Sequence, residues 1–175
     1  MSIALLRRST DYAREVMSDL TSDDLRLTTP CGDWDAGRVV LHLADVADAL
    51  VGLLETGQLA LPEPARIDDT EPVCVAHAAM TRLDARLSTT NDAERADAAA
   101  RAGAIEFTMH GWDIGVARDR DHATPADLAD DVRELASSLV SDDARGANFG
   151  PRVHIPADAP SSDRLAAFLG RRRSA

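Results

Sequence analysis

The 175-residue chain contains no lysine, and all 19 of its basic residues are arginine. Cations are outnumbered by 30 acidic residues, which leaves a net charge of −11 and argues against nucleic acid or anionic membrane surfaces as partners. Aromatics make up only 3% of the chain. The core must therefore come from Ala, Leu and Val, a composition that favours closely packed helices over sheets. Two cysteines, Cys31 and Cys74, are too few for a disulfide framework. No apolar run reaches the ~18 residues of a membrane span. Arg7 and Arg8 interrupt the N-terminal apolar stretch, so no secretory leader is expected. These absences fit a cytoplasmic location with reduced thiols.

What is present is helical periodicity. Leu5, Tyr12, Val16 and Leu20 place one helix over residues 2–20. The breaker segment Thr28–Gly32 follows, and Asp33 reads as the N-cap of a second helix from Trp34 to Thr56, closed by Gly57. Its stripe is Val39, Leu43, Val46, Leu50 and Leu53. Thr70 with Pro72 opens a third helix, carrying Val73, Ala76, Met80, Leu83 and Leu87. Asn91-Asp92 caps a fourth, over residues 93–118. Thr124-Pro125 opens a fifth, with Leu128, Val132, Leu135 and Leu139 inward. From Asn148 to Ala159 the chain loosens, with Val153-His154-Ile155 as a short extended piece, before a last helix over 162–169 ended by Gly170. The expected architecture is all-α. An antiparallel four-helix bundle occupies residues 1–140, and a short C-terminal extension, 141–175, packs on it.

The chemistry concentrates on the fourth helix. Glu106 and His110 are four apart, on one face and one turn apart. Apolar neighbours flank that face: Phe107 and Ile114 on one side, Ile105, Met109 and Val116 on the other. A glutamate in the middle of an apolar stripe is costly unless paired or bound to a metal. His42 lies about 60° from the centre of the second helix's stripe. Two histidines and one carboxylate facing inward suit a metal with open positions, either Zn²⁺ or a 2-His-1-carboxylate iron site. Taken singly, a histidine here reads sooner as a hydrogen-bonded core group; taken together the three residues favour the metal.

Other residues carry weaker signals. Asp113, one turn past His110, is either a partner that holds an imidazole, or a base, or equally the salt-bridge partner of an arginine, and it is the candidate catalytic residue. Cys31 precedes His42 by 11 residues, roughly 14–16 Å along a helix, too far to share an ion. Trp112 points away from the metal face. Ala99, Ala102, Gly103 and Ala117 leave room for a bound molecule or for close helix packing. His77 is a weak candidate for supplementing the site; His122 and His154 have no assigned role. Arg171-Arg172-Arg173 reads as a solvated basic tail.

The order of three motifs resembles the mycothiol-dependent maleylpyruvate isomerase family, within the broader DinB-like metalloenzyme superfamily. The motifs are Thr29-Pro30-Cys31-Gly32-Asp33-Trp34, then Val40-Leu41-His42-Leu43, then Glu106-Phe107-Thr108-Met109-His110-Gly111-Trp112-Asp113. Phe168-Leu169-Gly170-Arg171 also looks like the ending of short family members. The resemblance implies a DinB-like helical bundle, a divalent metal, most often Zn²⁺, on His42, Glu106 and His110, and mycothiol as a thiol cofactor. The characterised isomerases carry a larger C-terminal domain that contributes to the substrate site, where this chain has only about thirty residues after its fifth helix. The expected function is thiol-dependent S-transfer or isomerisation of a small electrophile. A metal-dependent hydrolase and a non-catalytic metal-binding or ligand-sensing bundle remain open alternatives. A homodimer is an allowed assembly.

Overall fold

A computed structural model gives the architecture for residues 2–63, 65–67, 71–118, 123–142, 145 and 149–173. Among these residues there are six α-helices and no strand: α1 (Ser2–Met17), α2 (Ala36–Thr56), α3 (Pro72–Thr89), α4 (Ala93–Ala117), α5 (Ala126–Leu139) and α6 (Ser161–Phe168). A 3-10 turn, Asp24–Arg26, lies between α1 and α2. None of the helices is long and apolar enough to cross a membrane. Thr70, His122 and Asn148 lie outside the described residues.

The helix ends follow capping chemistry, with two shifts from the sequence reading. α1 stops at Met17, short of Leu20, as backbone bonds from Ser18 to Glu15 and from Leu20 to Met17 tighten the chain into turns. The cap of α2 is Asp35, not Asp33; its side chain accepts from the Arg38 amide at 2.7 Å. The reason is tertiary. Thr28 bridges Asp35 in antiparallel fashion, Trp34 N–H donates to the Cys31 carbonyl, and Gly32 takes a left-handed φ of 61° at the bend. Asp33 is therefore spent inside the turn. Asp92 caps α4 through the Arg95 amide, as its sequence position predicts.

α4 is the central helix. It packs on α1, α2 and α5, while α2 also packs on α3 and α5 on α6. From Gly103 to Gly115 every residue of α4 is buried except Glu106. A helix apolar on nearly all sides needs partners all round, and two glycines permit their approach. A Cβ at Gly103 would stand 2.7 Å from Leu6 and 2.8 Å from Leu50; one at Gly111 would stand 2.7 Å from the Tyr12 ring. Gly103 thus serves helix packing. The buried hydroxyls between α1 and α4 are satisfied in series, Thr108 donating to Ser9 and Ser9 to the Leu5 carbonyl. Most of the inward stripes of α2, α3 and α5 are buried as expected; Leu53, Val73 and Leu135 are half-buried against the core, and Leu139 is exposed. On α1 the buried face is Leu6, Tyr12, Ala13, Val16 and Met17, so Leu5 and Leu20 sit at its margin.

Beyond α5 the chain folds back over the bundle. Arg145 donates to the carbonyls of Gly150 and Phe168, and Val153 N–H to Ala167. Residues 153–155 form no strand. Gly150 and Gly170 cross at close range: a Cβ at Gly170, where φ is +83°, would lie 2.7 Å from the Gly150 backbone. This crossing turns Arg171 inward.

Candidate metal centre

α2 and α4 face each other in opposite senses. Leu50 meets α4 at Gly103, while His42, two turns earlier, meets Glu106 and His110. His42 Nε2 is 3.6 Å, and His110 Nε2 3.4 Å, from the same Glu106 Oε2. The donor atoms of His42, Glu106 and His110 all lie within 4.8 Å of one another. The three residues singled out by periodicity therefore converge.

Asp113 stands behind them, fully buried, with Oδ2 3.0 Å from His110 Nδ1. Burial would lower the His110 pKa, but contacts with Asp113, Cys31 and Glu106 outweigh it and hold the imidazole well above its ordinary value. Burial alone would likewise raise the Glu106 pKa; the two histidines outweigh it and hold the carboxyl well below the ordinary carboxylate range. The Nδ1 contact leaves His110 Nε2 aimed at Glu106 and His42. Such an arrangement fixes the imidazole as a ligand would need.

Two further residues complete the site, and the sequence reading missed both. Cys31 is not remote: its Sγ lies within 4.8 Å of donor atoms of His110 and Asp113. Helical rise did not apply, because residues 31–35 fold back before α2 begins, and the partner is on α4. Arg171 is not a solvated tail residue. Its Nε donates to Asp113 at 3.3 Å and its Nη2 to Cys31 Sγ at 3.3 Å. Arg173 pairs with Asp163 and lies over the Trp112 ring, which faces away from the triad. The available signal was the Gly170-Arg171 pair, since a glycine able to take positive φ can redirect the chain. Trp34, read as a helix start, is a wall of the site, with its ring 5.0 Å from that of His42. His77, His154 and Cys74 are absent from the described lining of the site.

These groups border a cavity of about 560 Å³, within the usual range for small-molecule sites. Its described lining includes Cys31, Trp34, His42, Glu106, His110 and Arg171, and also Val46, Leu50, Leu59, Leu61, Ile105 and Phe149. Ala102, one turn from Glu106, leaves part of this space open.

The sequence profile described as the Mycothiol maleylpyruvate isomerase N-terminal domain matches residues 6–115. Two Mycobacterium tuberculosis proteins are similar to the chain: Uncharacterized protein MT0763 of strain CDC 1551 / Oshkosh and Uncharacterized protein Rv0738 of strain ATCC 25618 / H37Rv. Each is 24% identical over 181 residues, covering 94% of both sequences. No solved structure matches the chain.

Proposed function

The chain belongs to the mycothiol maleylpyruvate isomerase N-terminal domain family, and from that premise we propose that it binds one divalent metal, Zn²⁺ by preference, through His42, Glu106 and His110 for thiol-dependent transfer or isomerisation of a small electrophile. The observation that carries the reading is the convergence of two imidazole nitrogens and one carboxylate within 4.8 Å. Two nitrogens and one oxygen form a donor set that zinc accepts, and three ligands leave a coordination position free. A divalent ion there would favour ionisation of a bound thiol.

The rest of the chemistry belongs to the chain. Asp113 touches His110 and Arg171 and is fully buried. Of its expected roles this supports positioning together with the arginine salt bridge and not the base, since a base must reach the proton it takes. Trp34 and Met109 line the same cavity, the Trp34 ring lying 5.0 Å from His42 and 6.4 Å from His110. The cofactor thiol of this reading is mycothiol, the location cytoplasmic, and the bundle the antiparallel DinB-like one with residues 141–175 as its extension.

Metal analysis of wild-type and His110→Ala protein tests the reading. The wild type should carry one equivalent of Zn²⁺ and the variant none, with helical circular dichroism retained because the core is aliphatic. Leaving Glu106 without His110 should reduce stability by about 1–3 kcal/mol. In Co²⁺-substituted wild type, mycothiol or a cysteine-derived mimic should raise a sulfur-to-cobalt charge-transfer band. Wild-type protein without stoichiometric metal would end the proposal; metal without any thiol response would leave a binding or sensing role.

A further inference from the structure

The cavity is polarised along its length. Cys31, Trp34, His42, His110 and Arg171 gather at one end. On α2, Val46 and Leu50 lie one and two turns beyond His42, up to ~12 Å away along the axis. Opposite Leu50, α4 has reached Gly103. Val46, Ala49 and Leu50 make that stretch of α2 apolar, and the lining also includes Leu59 and Leu61, which are 57% and 51% exposed and keep much of their surface in water.

Charge is scarce there. Arg171 is the one arginine in the described lining, and its guanidinium already faces the fully buried Asp113 carboxylate and the Cys31 sulfur. With His42 and His110 neutral, as metal ligands would be, Glu106 and Asp113 against Arg171 leave one negative charge. A divalent ion would make this a single positive charge, which one thiolate cancels. Among the described lining residues no further cation is left for an acidic substrate, Arg38 standing over the Trp34 ring outside that lining, and the chain's net charge of −11 repels anions at long range.

We propose that the cavity takes an uncharged electrophile with a hydrocarbon body, its apolar part lying along Val46, Leu50, Leu59 and Leu61, rather than a small dicarboxylate. The assignment of the reacting end rests on the metal-centre reading above. The apolar subsite does not, since no metal ligand belongs to it.

Binding of the uncharged fluorophore N-phenyl-1-naphthylamine separates the two. The protein, with and without added Zn²⁺, should give a saturable 1:1 isotherm. Its sulfonated analogue, 8-anilinonaphthalene-1-sulfonate, should bind about tenfold more weakly, or more weakly still, to the Zn²⁺-free protein, and likewise to protein holding both Zn²⁺ and a thiol. The double variant Leu59→Glu/Leu61→Glu, both at exposed positions, should weaken the neutral probe roughly tenfold. Leu139→Glu, an exposed leucine of α5 outside the cavity, should not. Absence of saturable binding, equal affinity for the anionic probe in those two states, or an unchanged isotherm in the double variant would each overturn the inference. Failure of the metal reading would appear instead as no stoichiometric Zn²⁺ beside an intact probe isotherm.

Discussion

Replacing Asp113 by Asn changes one atom in size but removes the charge that two cations share. His110 Nδ1 lies 3.0 Å from Oδ2, and Arg171 Nε lies 3.3 and 3.5 Å from the two oxygens. Hydrogen bonds to charged groups contribute about 1.5–3 kcal/mol each. An asparagine can still accept through its one oxygen, so the loss is smaller than two full bonds, and Arg171 recovers some hydration through its 16% exposed side chain. The expected destabilisation is about 2–3 kcal/mol, or roughly 5–10 °C in melting temperature for a chain of this size. The functional effect is separate. Without a carboxylate on Nδ1 the imidazole loses its fixed tautomer and some basicity, so Zn²⁺ affinity should fall about 10–100-fold. Chelator competition measures the affinity and urea unfolding the stability. Arg118→Ala is the control: Arg118 ties the end of α4 to Asp19 at 2.7 Å, two turns beyond His110. That change should destabilise the protein yet leave Zn²⁺ affinity alone. Zinc affinity within twofold of wild type in Asp113→Asn would refute the positioning role, whatever happened to stability.

Tyr12 is the chain's single tyrosine, so its ionisation can be read directly at about 295 nm. Burial pushes its pKa up to about 12 against an opposing hydrogen bond from Thr124. The native protein should therefore titrate near pH 12, with the stabilising contribution complete below the unfolded value of ~10 and lost as pH rises through 12; a midpoint near 10 in folded protein would contradict the packing of α1 on α4. Gly170→Ala places a Cβ 2.7 Å from the Gly150 backbone at a φ of +83°. It should cost about 2–4 kcal/mol and release Arg171 from Asp113. Hydrogen exchange should then quicken over 149–171 while α2 and α3 stay protected; wild-type exchange there would show that the crossing does not hold Arg171.

The parts of this site legible in the sequence are those fixed by helical geometry. Glu106 and His110 share a face because 3.6 residues make a turn, and the apolar residues around them say which way that face points. His42 was found by the same reasoning on α2. Helix count and most inward stripes followed from the same short-range periodicity. Where a helix edge was in doubt, tertiary contact decided. Two aspartates two residues apart compete for the α2 cap, and the Thr28–Asp35 bridge selects the second.

Cys31 and Arg171 escaped for one shared reason. Each sits in a segment without a period, so distance along the chain says nothing about distance in space. Counting helical rise from Cys31 to His42 measured the wrong pair: the turn at Gly32 sends the thiol to His110, on a helix about eighty residues later. Three consecutive arginines near the end of the sequence look solvated by composition. Yet the Gly150–Gly170 crossing separates their fates: Arg171 reaches Asp113, Arg172 stays exposed, and Arg173 covers Trp112. Loops positioned by a rigid scaffold commonly carry the residues that adjust a site. Here the bundle fixes the donor set, and the two loop residues set what surrounds it. On the proposed metal reading, relatives that keep His42, Glu106 and His110 but differ around Gly32 and Gly170 should therefore share metal binding and differ in what they admit beside it. Transplanting residues 149–171 between two such chains, with Zn²⁺ affinity and probe selectivity read together, would test that division: selectivity should travel with the segment, and affinity should stay with the bundle.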